Sequence, residues 1–179
     1  MHNTLLVVST TPEKAARIDS DMATEAINNY KEISDYAQEV KPENAEYAMN
    51  MFDLAYGHCV DIDGRTIHVR PSLDTLKAHL KVTSDAARKL VEQIDFVLAT
   101  EFDDTTAKPE NGSTILYRTM AMVSNVDHAL VDPYGIYVLV VKDEPTWALI
   151  ATPADEWLVH AQAGETCDYT VTQVFSYHV

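Results

Sequence analysis

The sequence predicts an α+β protein, with N-terminal helices, a central helical pair bounded by β-type runs, and a small α/β sheet element toward the C-terminal end. Three observations carry this. Apolar residues recur every third or fourth position from Ile18 to Val40 and again from Ala45 to Tyr56, the period of a buried helix face. Leu5 to Val8 and Ile136 to Val141 are short apolar runs of the kind buried strands show. Tyr169 to Tyr177 alternates like a strand with one face inward. The 179 residues, 46% of them hydrophobic, suffice for one full core or two small ones.

After the Leu5–Ser9 strand, Thr11 as N-cap and Pro12 at the first helical position open a helix. Ile18, Met22, Ala26, Tyr30, Ile33, Ala37 and Val40 mark its inner face, and Pro42 stops it, so residues 1–42 form a strand and one long helix. Pro42 starts a second helix with Ala45, Ala48, Met49, Phe52 and Tyr56 inward, and Gly57 closes it. Asp63-Gly64 between two alternating runs signals a hairpin. Ser72 caps a helix from Leu73 to Leu80, and Lys81-Val82-Thr83 is expected as a turn. Thr83 or Ser84 then caps a helix with Ala87, Leu90, Val91 and Ile94 inward. Phe96–Thr100 reads as a strand, Asp103–Ser113 as a loop and Thr114–Thr119 as a returning strand, giving a central domain over 43–122. The segment 123–179 holds strands at Ile136–Val141 and Trp147–Thr152, a helix opened by Pro153 and ended by Gly164, and the Tyr169–Tyr177 strand. It is expected to share a sheet with the N-terminal strand. Aromatic residues cluster there (Tyr134, Tyr137, Trp147, Trp157, Tyr169, Phe175 and Tyr177) as a sheet core beside acidic neighbours, which disfavours base stacking.

The formal net charge is -15, and it is uneven. Only residues 65–100 carry more bases (Arg65, Arg70, Lys77, Lys81, Arg88, Lys89) than acids (Asp74, Asp85, Glu92, Asp95). No apolar run approaches the ~20 residues a membrane span needs. No base precedes the first apolar run, as a signal peptide would require, so a cytoplasmic protein is expected. Cys59 and Cys167 belong to no Cys-x-x-Cys pair, which leaves them as buried apolar residues with no structural metal expected.

The element order over about Glu43–Met122, with the core Leu76-Lys77-Ala78-His79-Leu80-Lys81-Val82-Thr83-Ser84-Asp85-Ala86-Ala87-Arg88-Lys89-Leu90, resembles the winged helix-turn-helix superfamily. The resemblance covers under half the chain. It implies a second helix lying in the DNA major groove, with Ser84, Arg88, Lys89 and Gln93 reaching bases or phosphates, and with Arg70, Lys77 and Lys81 as phosphate contacts. The reading is a non-enzymatic DNA-binding regulator or accessory protein, a homodimer through the N-terminal helix or the C-terminal sheet, without a cofactor. Asp103, Asp104 and Glu110 in the expected wing would repel phosphate. They favour the alternative, an acidic inhibitor or adaptor (a DNA mimic of the phage-encoded kind) that occupies a nucleic-acid-binding protein. A structural subunit of an assembly is the third reading.

Among candidate reactive groups, His58, Cys59, Asp61, Asp63 and His68 surround the hairpin. Strand alternation would put Cys59 and Asp61 on one face, and no third group orients a Cys–His pair, so hairpin surface and core is the expected role. Asp127-His128 reads as a loop feature and His160 as packing beside Trp157.

The DNA reading has a direct check. At about 50 mM salt or below, where phosphate contacts are strongest, the chain should retard duplex DNA, and Arg88→Ala with Lys89→Ala should abolish the shift. No shift by the parent chain removes the DNA-reading role.

Overall fold

The computed structural model describes residues 2–31, 34–101, 134–142 and 149–178. It is mixed α and β: β1 (His2–Ser9), α1 (Ser20–Asn28), β2 (Tyr36–Glu39), α2 (Pro42–Tyr56), β3 (Asp61–Asp63), β4 (Thr66–Val69), α3 (Leu73–Glu101), β5 (Ile136–Val140), β6 (Thr152–Pro153), α4 (Ala154–Ala163) and β7 (Cys167–His178). The chain divides into two compact units, Met1–His79 with Tyr134–Val179, and Leu80–Pro133. No described helix is long and apolar enough to cross a membrane.

The first unit is built on a seven-stranded sheet in the order β3-β4-β7-β1-β5-β6, with β2 also on β7. β1 runs parallel to β5, and every other pairing is antiparallel. As expected, the N-terminal strand lies in the same sheet as the C-terminal strands. Leu5, Leu6, Val7 and Val8 are all fully buried because β1 is covered on both faces. Period-two alternation divides their side chains. Leu6 and Val8 join Ile136, Val138, Phe52, Tyr56, Trp157 and Leu158 under α2 and α4. Leu5 and Val7 join Tyr137, Leu139, Ala26, Ile27, Phe175 and Tyr177 under α1.

The β1–β7 register shifts between Val7 and Val8, so that Val7 faces Gln173 and Val8 faces Val171. This bulge puts Val171 and Val174, three residues apart, in the same core, and it turns Gln173 toward the α1 side. There Gln173 accepts from the Ile18 N–H at 2.9 Å and donates to the Ile18 carbonyl at 3.0 Å and to Glu39 Oε1 at 3.1 Å. One buried amide thus satisfies both backbone groups of a residue outside any regular element.

Several local signals act as the sequence predicts. Pro42 occupies the start of α2, whose buried face is Ala45, Ala48, Met49, Phe52, Ala55 and Tyr56. The β3–β4 hairpin closes on Gly64-Arg65, with Gly64 at φ 58 supplying the positive φ that two-residue hairpin loops require. At the start of α3 the Ser72 hydroxyl oxygen accepts from the Thr75 N–H at 3.4 Å and its carbonyl from the Leu76 N–H at 3.0 Å.

Four expectations are corrected. The long helix from Thr11 to Lys41 is instead a turn, the short helix α1 and the strand β2. Asp19, not Thr11, is the N-cap, accepting from the Met22 N–H at 2.9 Å. Asn28 then bonds Ser34 through both its amide atoms, and Tyr36–Glu39 pairs with β7. The turn at Lys81-Val82-Thr83 and the strand at Phe96–Thr100 are both absent, since α3 is one 29-residue helix through them. Nothing in that stretch breaks a helix: it holds no Gly or Pro, and no described non-glycine residue adopts positive φ. Its inward positions hold in part, with Ala87 and Ile94 buried and Val91 exposed. Of the expected Trp147–Thr152 strand, only Thr152–Pro153 pairs, with Val138 and Tyr137; Trp147 lies outside the described residues. The expected wing loop and its returning strand, and Asp127-His128, also lie outside them.

Gln173→Leu strands two buried backbone groups, each costing about 1–3 kcal/mol. The expected loss is about 3 kcal/mol, read from urea denaturation, whereas an unchanged midpoint would show that the amide carries no such burden.

Candidate functional site

The residues expected to meet nucleic acid fall into two sets. Lys77, Lys81, Ser84 and Arg88 are exposed on α3, and their spacing of four, three and four puts them on one helical face. Lys89 and Gln93 are exposed but lie off that face. Arg88 is within 3.6 Å of Asp85, a surface pair one turn back. Arg70 follows β4 and is engaged by Asp168, at 2.8 Å from Oδ1, where His68 Nδ1 also sits at 3.0 Å. The His68 and Arg70 hydrogen bonds hold the Asp168 carboxyl below the ordinary carboxylate range.

The outer face of α2 is a different surface. Its inner residues fill the core, yet Tyr47, Met51 and Leu54 line up at i, i+4 and i+7 on the outside. Tyr47 is 70% and Leu54 81% exposed. Together with Tyr134, Ile136 and Thr4 they line a groove of about 180 Å³. Along the other flank of the helix, Glu46, Asn50 and Asp53 line a larger groove of about 480 Å³ with Ile62 and Arg65. The helix is therefore an apolar ridge with an acidic border.

Beyond the C-terminal end of α2 lies a third feature. Cys59 is not on β3. It belongs to the turn after the helix, where its N–H and its thiol both donate to the Tyr56 carbonyl, at 2.9 and 3.0 Å. Strand alternation therefore does not apply: Cys59 is buried while Asp61 and Asp63 are exposed. The turn brings Cys59 Sγ to 3.7 Å from Nδ1 of His79, a buried residue in the second turn of α3. His79 Nε2 lies 2.9 Å from Oδ1 of buried Asp155, in the first turn of α4. The His58 ring stacks on His79, with centroids 5.7 Å apart. Gln162 anchors the turn by donating to the Cys59 carbonyl at 3.0 Å.

Burial, and then the Asp155 charge, push the Cys59 thiol up to about 12. His58 presents an exposed edge, but its packed face is desolvated, which with the neighbouring His79 lowers its pKa. The cluster thus presents a protonated thiol beside imidazoles.

His58 and Cys59 are chain neighbours, and their partners in space are His79 and Asp155, not Asp61, Asp63 or His68. His79 carried one weak signal, its place three residues after Leu76 on the helix. Asp155, nearly one hundred residues beyond Cys59, carried none beyond its place in a first helical turn.

No protein-family model matches the chain, no curated protein is detectably similar to it in sequence, and no solved structure is detectably similar to it in fold.

A thiol with a folded-state pKa raised from 9.0 to about 12 stays neutral where a free thiol ionises. In metal-free protein at pH 9, a disulfide reagent should modify half-buried Cys167 and leave Cys59 untouched until denaturant is added. Rapid labelling of Cys59 in a Cys167→Ser variant would contradict this.

Proposed function

We propose that this chain is a protein-binding module that docks a basic partner on the outer face of α2, the role of an acidic adaptor or inhibitor. The observation that carries it is the solvent exposure of Tyr47 and Leu54, in line with Met51, on a helix whose other face is buried core. Folded proteins scatter single apolar residues over their surfaces, but an aligned set beside a groove is the pattern of an interface. Anchors at i, i+4 and i+7 are how helices engage partner grooves.

Charge selects the partner. Glu43, Glu46 and Asp53 border the ridge, and the formal net charge is -15. A second copy of the chain would bring the same acidic border against itself, whereas a partner with Lys or Arg flanking an apolar patch would be steered in. Partners that bind nucleic acid carry such surfaces, so duplex DNA should compete for them. The DNA-reading alternative retains one supporting observation, the exposed face of Lys77, Lys81, Ser84 and Arg88 on α3. Its gel-shift test is independent of α2.

The test pairs two double variants, each checked for native circular dichroism. Tyr47→Ser with Leu54→Ser removes the anchors, and Glu46→Lys with Asp53→Lys reverses the border. Crosslinking in host extract should capture the same basic protein with the parent chain and lose it with both variants. Against that purified partner, truncating an anchor should cost about 2 kcal/mol, roughly 30-fold in Kd. The border variant should act mainly on the association rate and its salt dependence. Undiminished capture by the anchor variant overturns the proposal. Dimerisation of the parent chain that the anchor variant abolishes would identify a second copy as the occupant and overturn the basic-partner assignment.

A further inference from the structure

We propose that His58, Cys59 and His79 bind a divalent transition-metal ion of the zinc class, with Asp155 orienting His79 from behind. The three residues converge from the turn after α2 and the start of α3, and their ligand atoms all lie within 4.8 Å of one another. The Sγ–Nδ1 separation of 3.7 Å between Cys59 and His79 can be compared with the coordination geometry. Zinc–sulfur and zinc–nitrogen bonds of about 2.3 and 2.05 Å at a tetrahedral angle put the two donors about 3.6 Å apart. Two imidazoles and a thiolate form a nitrogen–sulfur donor set that suits zinc and excludes the hard cations magnesium and calcium.

The atoms behind the site support the same assignment. Asp155 Oδ1 lies 2.9 Å from His79 Nε2, the ring nitrogen away from Cys59, and Nδ1 is the atom that faces the thiol. A carboxylate on the far nitrogen of a ligating histidine is the usual second partner of a metal-bound imidazole. The Cys59 side chain sits at the C-terminal end of α2, where the negative end of the helix dipole favours a cation. Binding displaces the Cys59 proton to solvent and forms the metal–sulfur bond. The thiolate and Asp155 together then balance the charge of a divalent ion in a buried setting. Three protein ligands leave a fourth position for water.

A nucleophilic Cys59–His79–Asp155 triad would use the same residues. It fits less well, because the Cys59 side chain is buried and its thiol is engaged by the Tyr56 carbonyl, so no substrate carbon reaches it. The surface pairs His68–Asp168, His160–Glu156 and His178–Asp35 offer only nitrogen and oxygen and give no thiolate signature.

Cobalt(II) is the probe. The full chain, stripped with chelator and kept reduced, is titrated with cobalt alone and then with zinc. One equivalent should produce a thiolate-to-cobalt charge-transfer band in the near ultraviolet, with intense visible bands of four-coordinate cobalt, and zinc should bleach both. Cys59→Ser should abolish the charge-transfer band, and exposed His58→Ala, which leaves the core intact, should weaken binding at least tenfold. Asp155→Asn should weaken it 10- to 100-fold, as loss of a supporting carboxylate does. Cys167→Ser and His68→Ala should change nothing. The assignment is overturned if the parent chain gives no charge-transfer band, or if the band survives Cys59→Ser, or if it moves with Cys167→Ser.

Discussion

The backbone pairing of β7 is the interaction on which the first unit depends. Its twelve residues take β1 along one side, and β4 and β2 end to end along the other. Between those two neighbours the ladder is continued by single bonds, from the Val171 N–H to the Arg65 carbonyl and from the Val40 N–H to the Val174 carbonyl. Alternation lets β7 feed both cores, and the bulge opposite Val7 and Val8 shifts its phase. Val171 and Val174 face α2 and α4, while Phe175 and Tyr177 face α1. Because β2 leads directly into α2 and β4 nearly into α3, the position of β7 also fixes where those helices begin.

The elements legible in the sequence are those whose signal is local. β1 and β5 declare themselves by uninterrupted apolar runs, α2 by a proline start and a 3.6-residue period, the β3–β4 hairpin by Asp63-Gly64, and β7 by alternation. The expectation that the two ends share a sheet also holds. The errors come from patterns that local reading cannot separate. Spacing of three and four from Ile18 to Val40 imitates one helix, yet Ala37 is buried because β2 pairs with a strand some 140 residues later. In α3, a polar stretch between two apolar faces resembles a turn, but no residue in it opposes helical angles, and one helix continues the hydrogen bonding without interruption. The His58–Cys59–His79–Asp155 cluster is not legible in the sequence, where His58 and Cys59 read as hairpin surface and core. Two members are adjacent, and the other two arrive from α3 and α4 through the sheet topology, which no spacing rule contains.

Helix α2 carries both sites by virtue of its place in the fold. Its inner face packs on β1 and β5, its C-terminal turn delivers Cys59 to His79, and its outer face is left with Tyr47, Met51 and Leu54 in solvent. A buried helix face supplies the rigidity that a docking ridge needs, since anchors held by an ordered backbone lose little freedom on binding. The polar cluster lies at the end of the same helix. Gln162 from α4 holds the Cys59 carbonyl there, so one short turn is fixed from two sides.

The sheet order also dictates when the first unit can form. β1 is synthesised long before its antiparallel neighbour β7, and Thr172 reaches the Val7 carbonyl across 165 positions of chain. Until residue 178 has left the ribosome, Leu5 to Val8 have β5 at most on one side and an open edge on the other. Such an edge is what holdase chaperones cover and what strays into intermolecular pairing. Assembly of the sheet therefore waits for β7, with a high contact order and a correspondingly slow search. The nascent chain spends that interval exposing the same apolar run that later forms the centre of the sheet.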